Sequence, residues 1–143
     1  MNMKISKKTD YAIRLILELS LNYNKKLRIR DISKRQKIPF KFLQYLVSQL
    51  HSAGYINTFR GKDGGIVLSK NPKDITLKEI IVFFEKSLLP VSCLEKEGCS
   101  SIQDCVLYPI WRELKLKIEE ILDKITFQDI VEKSKSSHYF YYI

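Results

Sequence analysis

Ile38-Pro39-Phe40-Lys41-Phe42-Leu43-Gln44-Tyr45-Leu46-Val47-Ser48-Gln49-Leu50-His51-Ser52-Ala53-Gly54 reads as a single helix, running from Pro39 to Ala53. Leu43, Leu46, Val47 and Leu50 fall on one stripe, while Lys41, Gln44, Tyr45 and Ser48 fall on a long, polar, hydrogen-bonding face. Pro39 suits the start of the helix, where its missing N–H costs nothing, and Gly54 suits the position just past its end. The next residues change period. Tyr55 to Phe59 reads as a strand, Arg60-Gly61-Lys62-Asp63-Gly64-Gly65 as a turn and Ile66 to Ser69 as the returning strand. A helix with a polar and basic face followed by a hairpin with a basic tip is the arrangement of a recognition helix and a β-wing. Lys41, Gln44, Tyr45 and Ser48, preceded by Pro39, are the candidates for the major groove. Arg60 and Lys62 are the candidates for phosphates or the minor groove.

Upstream, about Asp31 to Gln36 reads as the first helix of a helix-turn-helix, with Ile32 inward and Lys37-Ile38 as its tight turn. Leu27-Arg28-Ile29 reads as a short strand. Lys8 to Leu21 reads as a helix with Ala12, Leu15, Ile16 and Leu19 on one stripe and Ile13 and Leu17 on a second face. A helix apolar on two faces is expected to lie between two bodies, the domain and a dimer partner.

Downstream, Thr76 can cap a helix with Glu79 as its capping-box partner, and Pro90 ends that helix. Leu107, Trp111, Leu114, Ile118, Ile121 and Ile125 then recur at alternating intervals of four and three, an a/d seam over 106–125. That seam is expected to pair two subunits, since two-fold symmetry doubles the contacts on a palindromic site. The tail from Ser134 begins as if unstructured and ends in Tyr139-Phe140-Tyr141-Tyr142-Ile143, a run for which the sequence offers no role.

Between these helices lie the chain's three cysteines, Cys93, Cys99 and Cys105, spaced C-x5-C-x5-C. An odd number of thiols leaves one unpaired. Thiolates gathered on one segment suit a soft metal or an iron–sulfur cluster, and the intervals are too wide for a zinc knuckle. The alternative is three free thiols on a surface loop. Glu95, Glu97 and Asp104 read as solvated, and neither His51 nor His138 is placed as a ligand.

Across 143 residues the formal net charge is +9 and hydrophobic residues make up 45%, enough for one globular core. The charge is uneven: residues 1–75 carry 16 Lys and Arg against 5 Asp and Glu, and residues 76–143 carry 9 against 11. A basic half joined to a slightly acidic half fits a polyanion-binding module, 1–75, followed by a sensing and pairing region, 76–143. Double-stranded DNA is the leading partner, ahead of an anionic membrane. No secretory leader or membrane span is evident, so a reducing cytoplasm is expected. There is no nucleophile–base pair, no H-E-x-x-H and no glycine-rich phosphate loop, which argues against an enzyme.

These pieces together resemble the Rrf-type winged-helix transcriptional regulators, over nearly the whole chain. The matching residues are Met3-Lys4-Ile5-Ser6-Lys7-Lys8-Thr9-Asp10-Tyr11-Ala12, Ile38-Pro39-Phe40-Lys41-Phe42-Leu43, the wing Arg60 to Gly65, and the cysteine triad with Trp111 six residues beyond. The register places Met3 where the family usually starts. The resemblance implies a mostly α fold with a small β-wing: a winged helix-turn-helix domain plus a long C-terminal dimerisation helix. It further implies a homodimeric regulator, a repressor in the first instance, whose operator affinity depends on a cluster held by Cys93, Cys99 and Cys105. In IscR-like members a histidine three residues past the last cysteine completes the site, and Tyr108 stands there, expected to pack rather than to bind. In NsrR-like members an aspartate of the first helix, from the other subunit, completes it, and Asp10 stands there. The pattern favours a 4Fe–4S over a 2Fe–2S cluster sensing nitric oxide, redox or iron–sulfur status. An acidic residue in a first helical turn is also stabilised by the helix dipole, by about 0.3–1 kcal/mol, with no metal involved. The rival reading is a cluster-free DNA-binding regulator that senses redox through its thiols or holds a structural zinc.

Overall fold

The structure, a computed structural model, describes residues 5–85 and 104–136. Helix α1 (Lys7–Leu21) opens on Ser6, whose hydroxyl accepts the Thr9 N–H at 3.3 Å. Its expected stripe, Ala12, Leu15, Ile16 and Leu19, is at most 1% exposed. Ile13 and Leu17 are half-buried against the same core. The second body that covers α1 belongs to this chain, because α4 (Leu77–Phe84) and α6 (Phe127–Ser136) both pack on it.

Helix α2 (Ile29–Gln36) begins two residues before the expected Asp31. It ends at Lys37, which takes the left-handed conformation at φ 53°. The turn is closed by the Ser33 hydroxyl donating to the Ile38 carbonyl at 2.6 Å. Pro39 then stands one residue before α3 (Phe40–Ser52), as its cap, and its carbonyl accepts the Leu43 N–H at 2.9 Å. Leu43, Leu46, Val47 and Leu50 are buried as their spacing requires. Gly54 closes α3 at φ +85°, a conformation that costs glycine nothing.

Strand β1 (Ile56–Phe59) pairs antiparallel with β2 (Gly65–Leu68), Ile56 opposite Leu68 and Phe59 opposite Gly65. Of the expected strand 27–29 only Leu27 pairs, exchanging two backbone bonds with Ile66 at 3.0 and 2.8 Å, because Ile29 already starts α2. Glycine is required at the wing base. A Cβ on Gly64 would sit 2.5 Å from the Phe59 carbonyl oxygen, and one on Gly65 would sit 2.8 Å from that of Leu27.

After a 3-10 turn at Pro72–Asp74, the Thr76–Glu79 capping box starts α4 as expected, with bonds of 3.2 and 2.7 Å. Helix α5 covers Tyr108–Asp123. The seam is therefore shorter than expected: Leu107 is the cap, and Ile125 leaves the helix to accept the Leu77 N–H at 2.8 Å. No residue of α5 is buried. Helix α6 was not anticipated, and Ser134–Ser136, expected to be unstructured, form its last turn. Thr126 and Asp129 cap it reciprocally, which holds the Asp129 carboxyl below its ordinary value. Phe127, fully buried, joins Ile75 and Ile80 in the one core that also holds α1 and α3. Among the described residues no helix is long and apolar enough to cross a membrane.

Candidate nucleic-acid interface

A cleft of about 830 Å³ opens between α3 and the wing. Four of the expected contact residues line it: Gln44 and Ser48 from α3, and Arg60 and Lys62 from the hairpin tip. All four are exposed, and the buried stripe of α3 fixes which way Gln44 and Ser48 face. Lys41 and Tyr45 are exposed on the same helix but outside the cleft lining, and Pro39 is exposed at the helix start. Tyr45 is held outward by its neighbour: its ring stacks on Phe42 at 6.2 Å, and Phe42 meets Tyr11 of α1 edge-on at 5.8 Å. Two half-exposed aromatics thereby stiffen the face that a duplex would meet.

The cleft also holds residues that the sequence reading passed over. Arg28, Arg30, Phe40, His51, Thr58 and Phe59 all line it. The Arg30 guanidinium lies over the Phe40 ring at 5.2 Å, and the Lys26 ammonium lies over the Phe59 ring at 4.4 Å. Arg28 donates to the Lys62 carbonyl at 3.2 Å and Lys26 donates to the Asp63 carbonyl at 3.3 Å. His51 is tied through Nδ1 to the Ile56 carbonyl at 2.8 Å, joining the end of α3 to β1. The available signal was charge density: Lys25, Lys26, Arg28 and Arg30 fall within six residues at the start of α2.

The helix-turn-helix is set on α1 by a buried carboxylate. Glu18 accepts from Arg35 Nε at 2.7 Å and from Gln36 Nε2 at 2.8 Å, so the last turn of α2 is pinned to α1. At the other end of α1, Glu85 at the close of α4 accepts from the Ser6 N–H at 2.8 Å and the Thr9 hydroxyl at 2.6 Å. Burial raises the Glu85 carboxyl, but these hydrogen bonds and the nearby Lys8 charge outweigh it and hold the group below its ordinary value.

Of the expected cluster ligands, Cys93 and Cys99 lie outside the described residues. Cys105 is a half-buried free thiol just before α5, its carbonyl accepting the Tyr108 N–H at 3.3 Å. Asp10 is in the first turn of α1, 46% exposed, and pairs with Arg14 at 3.1 Å one helical turn on. Tyr108 is half-buried at the start of α5. Among the described residues no three acidic, histidine or cysteine side chains converge as a metal set. His138 and the aromatic run 139–143 also lie outside the described residues.

Residues 5–133 match the Rrf2 family, described as iron-dependent transcriptional regulators. The IscR transcriptional regulator of Serratia proteamaculans is 31% identical over 90% of this chain and 79% of its own length. Among solved structures, IscR of T. potens superposes with a TM-score of 0.78 at 26% identity, covering 96% of this chain and 92% of that one. CymR of B. subtilis, named as the global cysteine regulator of that organism, superposes with a TM-score of 0.74 at 29% identity. That match covers 91% of this chain and 97% of CymR.

Proposed function

This chain belongs to the Rrf2 family of transcriptional regulators, and from that premise we propose that it is a repressor whose operator affinity is switched by an iron–sulfur cluster. The observation that carries the DNA-binding part is the cleft between α3 and the wing, where Arg28, Arg30, Arg60 and Lys62 gather around Gln44 and Ser48. Gln44 and Ser48 can read base edges, and the cations can hold phosphates on either side. Homodimers are expected to form through α5 and to present two such clefts to a palindromic operator.

Cys93, Cys99 and Cys105 would hold the cluster, of the 4Fe–4S type in this reading, with Asp10 of the other subunit as the fourth ligand. When bound, the cluster supplies a redox-active iron centre open to nitric oxide or oxygen. The donor chemistry suits it: three thiolates and one half-exposed carboxylate, whose ion pair with Arg14 is a surface pair worth little and easily given up. The chain's own part is mechanical. The cysteine segment leaves α4 at Glu85, and Glu85 is tied to the first turn of α1, where Asp10 stands. Along α1, Glu18 holds α2, so a shift at one end of α1 reaches the helix-turn-helix at the other.

The test is an anaerobic absorbance spectrum with iron and sulfide analysis, combined with DNA retardation before and after nitric oxide, for the wild type and Asp10→Ala. About four irons and four sulfides per chain, a less stable cluster in Asp10→Ala and a changed retardation are expected. A protein that stays colourless after reconstitution would overturn the cluster reading. The second reading would then lead: a cluster-free regulator whose thiols, including the half-buried Cys105, sense redox directly or hold a structural zinc.

A further inference from the structure

We propose that Arg28 is a bridging residue of the DNA interface: one edge of its guanidinium clamps the wing tip while the remaining donors take a backbone phosphate. This inference rests on the DNA-binding reading above. Arg28 occupies the cap position of α2, where Ser, Thr, Asp or Asn would satisfy the free N–H groups of the first turn. Arginine has no acceptor and makes no capping bond there. A broken local rule of this kind points to a use elsewhere.

The use is visible at the wing. Arg28 donates to the Lys62 carbonyl at 3.2 Å, and Lys26 donates to the neighbouring Asp63 carbonyl at 3.3 Å. Two consecutive carbonyl oxygens at the tip would turn partial negative charge toward an approaching phosphate. Covering both with cations reverses the sign of that edge. Among the described residues the Arg28 side chain donates to the Lys62 carbonyl, and a guanidinium carries five N–H donors in a planar fork. Arg28 lines the cleft together with Arg60, Gln44 and Ser48. A planar fork can hold a carbonyl on one edge and a phosphate on another; a lysine ammonium on its flexible stem cannot fix both.

The test uses a duplex that the wild-type protein selects from a random-sequence pool, with binding measured across a salt series for wild type, Arg28→Ser and Arg28→Lys. Serine restores a good cap, so Arg28→Ser should melt no lower than wild type. It should bind about tenfold more weakly, and the slope of log K against log salt should become shallower by about one. Arg28→Lys keeps the charge and should keep the slope, yet bind more weakly than wild type because the clamp is gone. Wild-type affinity and slope in Arg28→Ser would overturn the proposal. So would Arg28→Lys binding as tightly as wild type, whatever happens to the stability of the serine variant. A wild-type protein that enriches no sequence and retards no duplex at low salt would instead overturn the DNA-binding reading itself.

Discussion

Glu18 and Glu85 stand at opposite ends of α1 and are asymmetric in what they risk. The Glu18 side chain is 10% exposed and that of its partner Arg35 is 41% exposed, so removing the arginine leaves the more deeply buried charge with Gln36 alone. Removing the carboxylate instead releases the arginine to water. Arg35→Ala is therefore expected to destabilise by about 2–3 kcal/mol and Glu18→Gln by about 1 kcal/mol, read from urea unfolding midpoints at constant slope. Equal costs would mean that the pair acts only as a surface contact. Glu85 yields a pH dependence. Its folded carboxyl is held below its ordinary value of 4.5 by the Ser6 and Thr9 bonds, so its contribution is present above that value. The contribution is lost as pH falls through the folded value. Thermal melts of Glu85→Gln should lie below wild type at neutral pH, and the gap should close as the solution is taken into the acid range. A gap that persists at low pH would mean that the glutamate acts through shape and not through charge.

At the scale of elements, α6 is the piece whose place in the fold is most consequential. Phe127 is fully buried among residues from both ends of the chain, so Phe127→Ala should cost about 3–5 kcal/mol. One cooperative transition, seen alike by tyrosine fluorescence and far-UV circular dichroism, should shift as a whole. A separate early transition would show that α6 is only appended. The sequence made α1, the helix-turn-helix and the wing legible because each has a local signal: an apolar stripe, a tight turn, a hairpin bounded by Arg60 and Gly65. It left α6 unread although Thr126 and Asp129 stand at capping-box spacing, because only Phe127, Ile130 and Val131 follow as apolar positions, too few for a helical stripe. The cleft was half legible for a similar reason. Gln44, Ser48, Arg60 and Lys62 lie on elements that announce themselves, whereas Arg28 shows locally only as one charge in a cationic run, and its bond to Lys62, thirty-four residues on, is encoded by no local pattern. The same holds for Glu18, which reads as one polar position of an apolar helix until α2 is folded against it.

For the whole molecule the open question is what covers α5. Leu107, Ile110, Leu114 and Ile121 make an exposed apolar ridge, between 39% and 61% exposed, and no residue of the helix is buried. One side of α5 packs on α4, and Trp111, Ile118 and Leu122 are half-buried, but the ridge itself stays exposed among the described residues. In the homodimer proposed above, a second copy of the same ridge, set two-fold, would cover it and bring two basic clefts into a single assembly. Leu114→Glu combined with Ile121→Glu would force charges into that contact. If each costs about 2 kcal/mol or more at the centre of the interface, the pair weakens association by about a thousandfold. Because neither side chain belongs to the core of the chain, the variant should sediment as a monomer while keeping the wild-type circular-dichroism spectrum. Its affinity for a palindromic duplex should fall far more than its affinity for a half-site, since the half-site needs one cleft and the palindrome profits from two. A variant that stays dimeric would place the two-fold contact elsewhere, and equal losses on both duplexes would mean that α5 supports the cleft and not the pairing.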